Sequence, residues 1–168
     1  MNDSTWTWIS GSDILNQPGV YGEKGIASTD NYPGGRFGAV GWYDSLKEEF
    51  WLFGGTIAGY QVVYVAETLN DLWRYRMSDN TWTWMGGSNT PDQPGVYGEK
   101  GVASSENIPD SRCCGVTWFV GPQRELWLFG GYGYANDSEN SGNYLFSVFC
   151  LYTLLTLHNR LLTRFVAI

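Results

Sequence analysis

Apolar and polar residues alternate with a period of two in several short stretches of this chain. Thr81-Trp82-Thr83-Trp84 places Thr on one side and Trp on the other, whereas Phe50-Trp51-Leu52-Phe53 is apolar on both sides. Because successive side chains of a β-strand point to opposite faces, the first pattern predicts a half-exposed strand and the second a strand covered on both faces. The chain is therefore predicted to be all-β, with inner and outer strands in one sheet.

Four strand-like segments follow one another in the first half of the chain. They are Phe37–Tyr43, Glu49–Phe53, Asp71–Tyr75 and Thr81–Met85. Asp44–Lys47 and Met77–Asn80 are short polar segments of the kind that connect hairpin strands. Gly54-Gly55 ends the second segment where the backbone must depart from strand angles. The apolar stretch Ile57–Val65 could extend the second and third strands as two longer arms.

Three segments recur at one fixed offset of 76 residues. Gln17–Gly25 returns unchanged as Gln93–Gly101, Trp6–Trp8 returns as Trp82–Trp84, and Trp51–Gly55 returns as Trp127–Gly131. A fixed period is the signature of a repeat architecture, in which each repeat is one structural unit. The sequence therefore predicts tandem β units.

The repeat resembles the kelch motif. The resemblance rests on the pair Gly54-Gly55, on Tyr75 followed after six residues by Trp82, and on Arg36 before the first strand. Arg112, Gly130 and Gly131 are the matching residues of the second copy. The family's fold is a β-propeller with one four-stranded blade in each repeat of roughly 50 residues. The resemblance implies that these residues are a structural signature.

The resemblance implies a partial kelch-type β-propeller over residues 1–143, with one complete four-stranded blade at about 36–85 and partial blades beside it. Thr5–Ile9 matches the last strand of one blade, and Arg112–Phe119 with Glu125–Gly131 matches the first two strands of another. So few repeats cannot bury both faces of a sheet. We therefore expect residues 1–143 to be marginally stable alone and to self-associate through open sheet edges.

Residues 144–168 form a tail of different composition that does not match the motif. Its mostly apolar run 145–157 has 13 residues without Gly or Pro, which is fewer than the roughly 18–20 needed for a membrane span. Three interpretations remain open: an altered reading of the gene, a packed terminal helix, and a membrane anchor if this run inserts. Because its blades are incomplete, we expect the chain to be a fragment of a larger propeller.

Charge narrows the classes of partner. All 17 acidic residues precede residue 144, and the formal net charge of the chain is -7. Nucleic-acid binding needs clustered Lys and Arg to neutralise phosphates, so no nucleic acid is expected as a partner. The first residues have neither a basic n-region nor an apolar h-region, so no signal peptide is expected and the compartment stays unknown.

The inventory of reactive side chains is short. The only His is His158, and the three Cys (Cys113, Cys114, Cys150) lack metal-ligand spacing. We interpret the Cys as small buried apolar residues. One His and three Cys without ligand spacing do not supply the residues that His-dependent nucleophilic catalysis or a zinc or copper site requires. We expect no catalytic residue, no metal and no cofactor.

The resemblance favours a non-catalytic kelch-repeat module that binds or scaffolds proteins. Its repeated loop carries four candidate partner contacts, Tyr21, Lys24, Tyr97 and Lys100, because long loops on rigid scaffolds often carry function. The equal alternative is that both loops simply pack in the same way between blades. A secreted glycan-binding module and the remnant of a propeller-containing enzyme remain alternative functions.

Overall fold

The computed structural model describes residues 4–58, 66–136, 141–145, 149–157 and 160–167, which contain eleven β-strands and no helix. The predicted all-β class is therefore confirmed. In chain order the strands are β1 Val40–Asp44, β2 Glu49–Ala58, β3 Ala66–Arg76, β4 Thr81–Gly86, β5 Arg112–Cys113, β6 Val116–Val120, β7 Glu125–Phe129, β8 Tyr132–Asn136, β9 Ser141–Leu145, β10 Phe149–Leu157 and β11 Arg160–Ala167.

The first sheet contains β1, β2, β3 and β4 in chain order, all antiparallel. Its four strands overlap the four predicted segments, and the turns between β1 and β2 and between β3 and β4 are the two predicted polar turns. The expected end of the second strand at Gly54-Gly55 was wrong, because β2 continues through the diglycine with a shift in register. Each turn ends on a residue with positive φ, Glu48 at 54° and Asn80 at 54°. β2 and β3 also extend beyond Gly55 as the predicted arms, although residues 59–65 lie outside the described part.

The second sheet repeats this order with β6, β7, β10 and β11. β5, β8 and β9 form a smaller three-stranded sheet beyond Gly130-Gly131. The pairing of Cys113 with Tyr132 repeats the bridge between Phe37 and Thr56 at the offset of 76. The small sheet is therefore the counterpart of the two arms in the first repeat.

The tail corrects two of our expectations. Where it is described, it forms the strands β10 and β11 rather than a helix, and it completes a second four-stranded sheet where we expected one complete sheet only. β7 has backbone groups to pair on the side away from β6, and β10 satisfies them. Cys150 and Tyr152 are buried whereas Leu151 is half-buried, which is the period of a strand.

The predicted strand at Thr5–Ile9 does not form. These residues have no strand partner among the described residues, and Trp6 is fully exposed. A single strand cannot satisfy its backbone groups or bury its side chains without a neighbouring strand. The alternating pattern of this segment was therefore not sufficient to predict its structure.

The core lies between the two four-stranded sheets. Trp42, Trp51, Phe53 and Leu72 of the first sheet pack against Leu126, Leu128, Cys150 and Tyr152 of the second. The Trp42 indole also donates a hydrogen bond to the Trp127 carbonyl at 3.2 Å. The two sheets thus stack face to face.

Candidate functional site: the repeated loops

The nine-residue repeats begin two longer loops, residues 17–35 and 93–111, and these two loops follow the same path. Val20 pairs with Tyr32 through two backbone hydrogen bonds of 2.9 and 3.0 Å, and Val96 pairs with Ile108 through two of 2.8 and 2.7 Å. In each loop an Asn side chain closes the turn: Asn31 Nδ2 donates to the Ile26 carbonyl, and the matching amide of Asn107 donates to Val102, both at 3.1 Å. The sequence identity therefore corresponds to an identical local fold.

The first loop also covers an edge of the first sheet. Ser28 exchanges two backbone hydrogen bonds with Trp82 of β4, at 3.1 and 3.2 Å, and the Gly25 amide donates to the Trp84 carbonyl at 2.8 Å. The loop thus acts as a short additional strand beside β4. This edge is occupied within the molecule, so it is not available for the edge-to-edge association that we expected.

Tyr21 lies at the base of the first loop in a buried polar cluster. Its hydroxyl donates to Asp71 Oδ2 at 2.7 Å, and the Trp73 indole donates to the same oxygen at 2.7 Å. Arg36 binds both carboxylate oxygens of Asp71, at 2.6 and 2.9 Å, and donates to the Gly54 carbonyl at 2.9 Å. The cluster ties the loop to β3 and to the diglycine.

The electrostatics of this cluster follow from its burial. Burial, followed by the charge of Asp71, raises the pKa of the Tyr21 phenol well above its usual value. Burial alone would lower the pKa of the Arg36 guanidinium, but its hydrogen bonds to Asp71 raise that pKa instead. The phenol therefore stays protonated and the arginine stays charged, so the cluster is a structural tie.

The second loop has an equivalent cluster with a different carboxylate. Arg112 donates to the Gly130 carbonyl at 3.0 Å, to the Tyr97 hydroxyl at 2.6 Å and to Asp110 Oδ2 at 3.0 Å. Tyr97 in turn donates to Asp110. Burial raises the pKa of the Tyr97 phenol, Arg112 opposes this rise, and Asp110 adds to it. In both repeats, therefore, one Tyr and one Arg donate hydrogen bonds to the carboxylate of one Asp.

The carboxylate has changed its position in the sequence between the repeats. Asp110 stands 76 residues after Gly34, whereas Asp71 has Ser147 at the corresponding position. An aspartate at Gly34 would require the backbone to shift, because a Cβ there would lie 2.5 Å from the Gly19 amide nitrogen. Sequence analysis missed both Asp residues as cluster members, since a comparison of the copies position by position shows no shared acid.

Lys24 and Lys100 lie at the exposed tips of the two loops. Lys24 Nζ donates to the Gly87 carbonyl at 2.9 Å and lies 4.3 Å from the centre of the Trp84 ring. Lys100 forms no hydrogen bond or ion pair with the described residues. The structure thus separates the four candidate contacts: the two Tyr hydroxyls are bound inside the clusters, and the two Lys lie at the tips.

Each loop tip also exposes the same pair of apolar side chains. Val20 and Ile26 of the first loop are 40% and 55% exposed, and the equivalent Val96 and Val102 are 50% and 48% exposed. Together with the Lys, these residues define what we call the loop tips: Val20, Lys24 and Ile26 in the first, and Val96, Lys100 and Val102 in the second. The sequence analysis missed the four apolar members.

The other signature residues and the Cys have structural positions. Tyr75 and Trp82 face each other with ring centres 5.1 Å apart, and the Tyr75 hydroxyl donates to Asn80 at 2.8 Å. All three Cys are free; two are buried as expected, but Cys114 is exposed. Burial raises the pKa of the Cys150 thiol to about 11, so this Cys is unreactive at neutral pH.

The described residues offer few other candidates for chemistry. They contain no group of three or more His, Cys, Asp or Glu arranged to hold a metal ion. None of their secondary-structure elements is a helix of the length and apolarity that a membrane crossing requires. A cavity of about 270 Å³ lies between β3 and the second loop, lined by Asn70, Leu72, Met85, Asn107 and Tyr152 among others.

Comparison with known proteins adds no assignment. No model of a known protein family matches the chain, and no curated protein matches its sequence.

Proposed function

We propose that this chain is a non-catalytic binding module built from kelch-type blades, and that it binds a protein through its loop tips. Three features support the kelch assignment: two four-stranded antiparallel sheets of the same strand order, their face-to-face stacking, and an Arg bound to the diglycine carbonyl in each repeat. The Arg contact follows the 76-residue repeat of the sequence, and the three features together agree with a propeller architecture.

The observation that carries the binding function is the duplicated exposure at the loop tips. Two apolar side chains and one Lys occupy equivalent exposed positions in both loops, while the Tyr and Arg beneath them hold each loop rigidly. Exposed apolar residues on a rigid loop lose little conformational entropy on binding. Each Lys stands beside an exposed Glu, Glu23 in the first loop and Glu99 in the second, so the tips carry no net charge and the apolar pairs are the expected contact with the partner.

The glycan-binding alternative has less support from the positions of the Trp residues. Trp42, Trp84 and Trp118 are the Trp residues whose sequence positions allow stacking on a sugar ring: Trp42 is buried, Trp84 is contacted by Lys24 and by Tyr21, and Trp118 is 49% exposed. Stacking on a sugar needs a free ring face. The proposal therefore rests on the loop tips rather than on the Trp residues.

The test compares two doubly substituted chains of equal charge. Val96→Asp with Val102→Asp alters one loop tip, and Ile14→Asp with Leu46→Asp alters two other exposed apolar positions, 64% exposed each. Each immobilised chain is exposed to an extract of its source cells, and the retained proteins are quantified. We expect one protein that the natural chain and the control pair retain and that the loop-tip pair loses at least tenfold.

Two results would count against the proposal. Equal retention by both variants would exclude the second loop tip as the binding surface, and retention of no protein above the control would exclude a stable partner in that extract. Parallel binding to immobilised polysaccharides, if abolished by Trp118→Ala, would favour the glycan module instead.

A further inference from the structure

The interface between the two sheets suggests how one molecule could contact another. The first sheet contributes what we call the Trp42 face, and the second sheet contributes the Phe119 face. The Trp42 face consists of Val40, Trp42, Trp51 and Phe53, and the Phe119 face consists of Thr117, Phe119, Leu126 and Leu128. Thr117 Oγ1 donates to the Gly41 carbonyl at 3.3 Å across this interface.

The 76-residue repeat gives each of these faces an equivalent on the other sheet, and both equivalents point away from the core. The outer side of the second sheet carries the equivalents of the Trp42 face, which we call the Trp118 face. The outer side of the first sheet carries the equivalents of the Phe119 face, which we call the Tyr43 face. The Trp118 face consists of Val116, Trp118, Trp127 and Phe129, and the Tyr43 face consists of Gly41, Tyr43, Phe50 and Leu52. Trp118 is 49% exposed, Phe50 44% and Tyr43 42%. The molecule therefore exposes both halves of its own internal interface, one on each side of the stack.

The Tyr43 face also has a depression where an aromatic side chain would fit. A groove of about 410 Å³ is lined by residues of β1, β2 and β4: Gly41, Trp42, Tyr43, Phe50, Trp51, Leu52 and Trp82. This is the repeat equivalent of the site where the Trp42 indole packs and donates to the Trp127 carbonyl. Trp118 of another molecule could occupy this groove and donate to the Trp51 carbonyl in the same way.

We propose that copies of this chain stack head to tail, with the Trp118 face of one copy on the Tyr43 face of the next. The contact repeats the internal interface between molecules, and it uses faces rather than the sheet edges that the sequence led us to expect. The two surfaces differ, so the interface is heterologous and leaves one free face at each end of an open assembly. The inference does not depend on the proposed function, because neither face includes a loop tip.

One feature of the internal interface is missing from the proposed contact. Internally, Arg124 Nη2 lies 2.5 Å from Asp44 Oδ2 and 3.7 Å from Glu49 Oε2. The equivalent of Glu49 is Glu125, which is also acidic. In the proposed contact, Glu48 stands at the position of Arg124 and Val120 at that of Asp44. The stack therefore lacks this ion pair and partly desolvates the Glu48 carboxylate, so the natural chain associates more weakly than its own sheets pack.

The first experiment blocks one face at a time in the full chain. Trp118→Glu removes the indole that would enter the groove, and Phe50→Glu places a charge in the groove. Trp6→Glu is the matched control, at a fully exposed position outside both faces. Sedimentation velocity should show concentration-dependent oligomers for the natural chain and for Trp6→Glu, and monomers for each blocked variant. An equimolar mixture of the blocked variants should form a dimer and nothing larger, because each retains one functional face.

Other outcomes of this experiment would overturn the stack. A natural chain that stays monomeric at every concentration would rule out the stack. Oligomers of Trp118→Glu equal to those of the natural chain would indicate association through another surface. Folded blocked variants that remain monomeric when mixed would contradict the head-to-tail geometry, and circular dichroism of each variant establishes that it is folded.

The second experiment transplants the missing ion pair. Glu48 has a φ of 54° and Arg124 a φ of 52°, so Arg fits the backbone at position 48. Val120→Asp alone should weaken the stack, since its carboxylate faces Glu48. Val120→Asp with Glu48→Arg should lower the dissociation constant about tenfold below that of the natural chain. A double variant no tighter than Val120→Asp would contradict the proposed register.

Discussion

At the scale of single residues, the buried arginines are the most informative feature of this chain. Arg36 and Arg112 stand 76 residues apart, and each binds the first diglycine carbonyl of its own repeat, but their carboxylate partners come from different elements. Asp71 belongs to β3, whereas Asp110 belongs to the second loop. The two repeats therefore share the ion pair between Arg and Asp but not the sequence position of the Asp. A buried guanidinium needs a negative partner, and that partner can come from any segment that reaches it.

Asp71→Asn should strongly destabilise the chain. Arg36 and Asp71 have side-chain exposures of 6% and 0%, and loss of the carboxylate leaves a buried positive charge, which costs about 3 kcal/mol. The measurement is the midpoint of urea unfolding by Trp fluorescence. Asp79→Asn is the matched control, because Asp79 pairs with Arg76 at the surface and its loss should change little. Equal midpoints for the two variants would show that the cluster does not stabilise the fold.

Some residues of the clusters were predictable and others were not. Arg36, Arg112 and the diglycines stand out in the sequence because they repeat at one offset. Asp110 does not, because its counterpart is Gly34 and only the fold shows that the two carboxylates reach equivalent points. The Tyr residues were predicted as partner contacts, but their hydroxyls are bound inside the clusters, since the loop folds back onto the sheet.

At the scale of elements, the diglycine determines how the second strand continues. Pairing between β2 and β3 shifts between Phe53 and Gly55, where Gly54 has a φ of 62° and Gly55 a φ of 99°. A Cβ on Gly54 would lie 2.4 Å from the Arg112 carbonyl oxygen of the other repeat. The element thus needs Gly both for its backbone angle and for close contact between repeats.

Gly54→Ala should therefore lower the free energy of unfolding by more than an Ala at a position of positive φ without a close contact. The matched control is Gly25→Ala, where φ is 84° and a Cβ would meet nothing within 4 Å. We expect about 1 kcal/mol for the control, and about 3 kcal/mol for Gly54→Ala because the contact with Arg112 must open. Thermal and urea unfolding of both variants measure the difference. A Gly54→Ala chain no less stable than the control would mean that the two repeats do not meet at this point.

The elements of the first sheet were predictable because their side-chain period and their turn residues agree. The tail was not, because a Leu-rich run without Gly or Pro suits a helix as well as a buried strand. β7 decides between them by offering an edge that β10 can pair with. The Trp6–Trp8 segment shows the converse: it has the pattern of Trp82–Trp84, but no described strand pairs with it.

At the scale of the whole molecule, the buried tyrosines connect stability to pH. Burial raises the pKa of Tyr21, Tyr97 and Tyr152 above the usual value, with burial as the largest cause at each. A folded-state pKa above the unfolded-state value favours the protonated phenol in the folded chain. The stabilisation is therefore complete below about pH 10, where the unfolded chain keeps its phenols protonated, and is lost as the pH rises further.

Unfolding in urea at a series of pH values tests this. The free energy of unfolding should fall steeply above about pH 10, the usual pKa of tyrosine. Tyr21→Phe should be less stable at neutral pH, because it loses the bond to Asp71, but its pH dependence should be shallower. A natural chain equally stable up to about pH 12 would contradict the burial of these phenols.

The sequence by itself determined the β class, the strands of the first sheet, their turns and the 76-residue unit, because local periodicity and turn chemistry are properties of neighbouring residues. Only the tertiary structure decided that the tail forms strands, that Asp71 and Asp110 are equivalent, and that the Tyr side chains face inward. It also placed equivalent faces on opposite sides of the stack. These features depend on which segments meet across long separations, and the pattern of one segment does not contain that information.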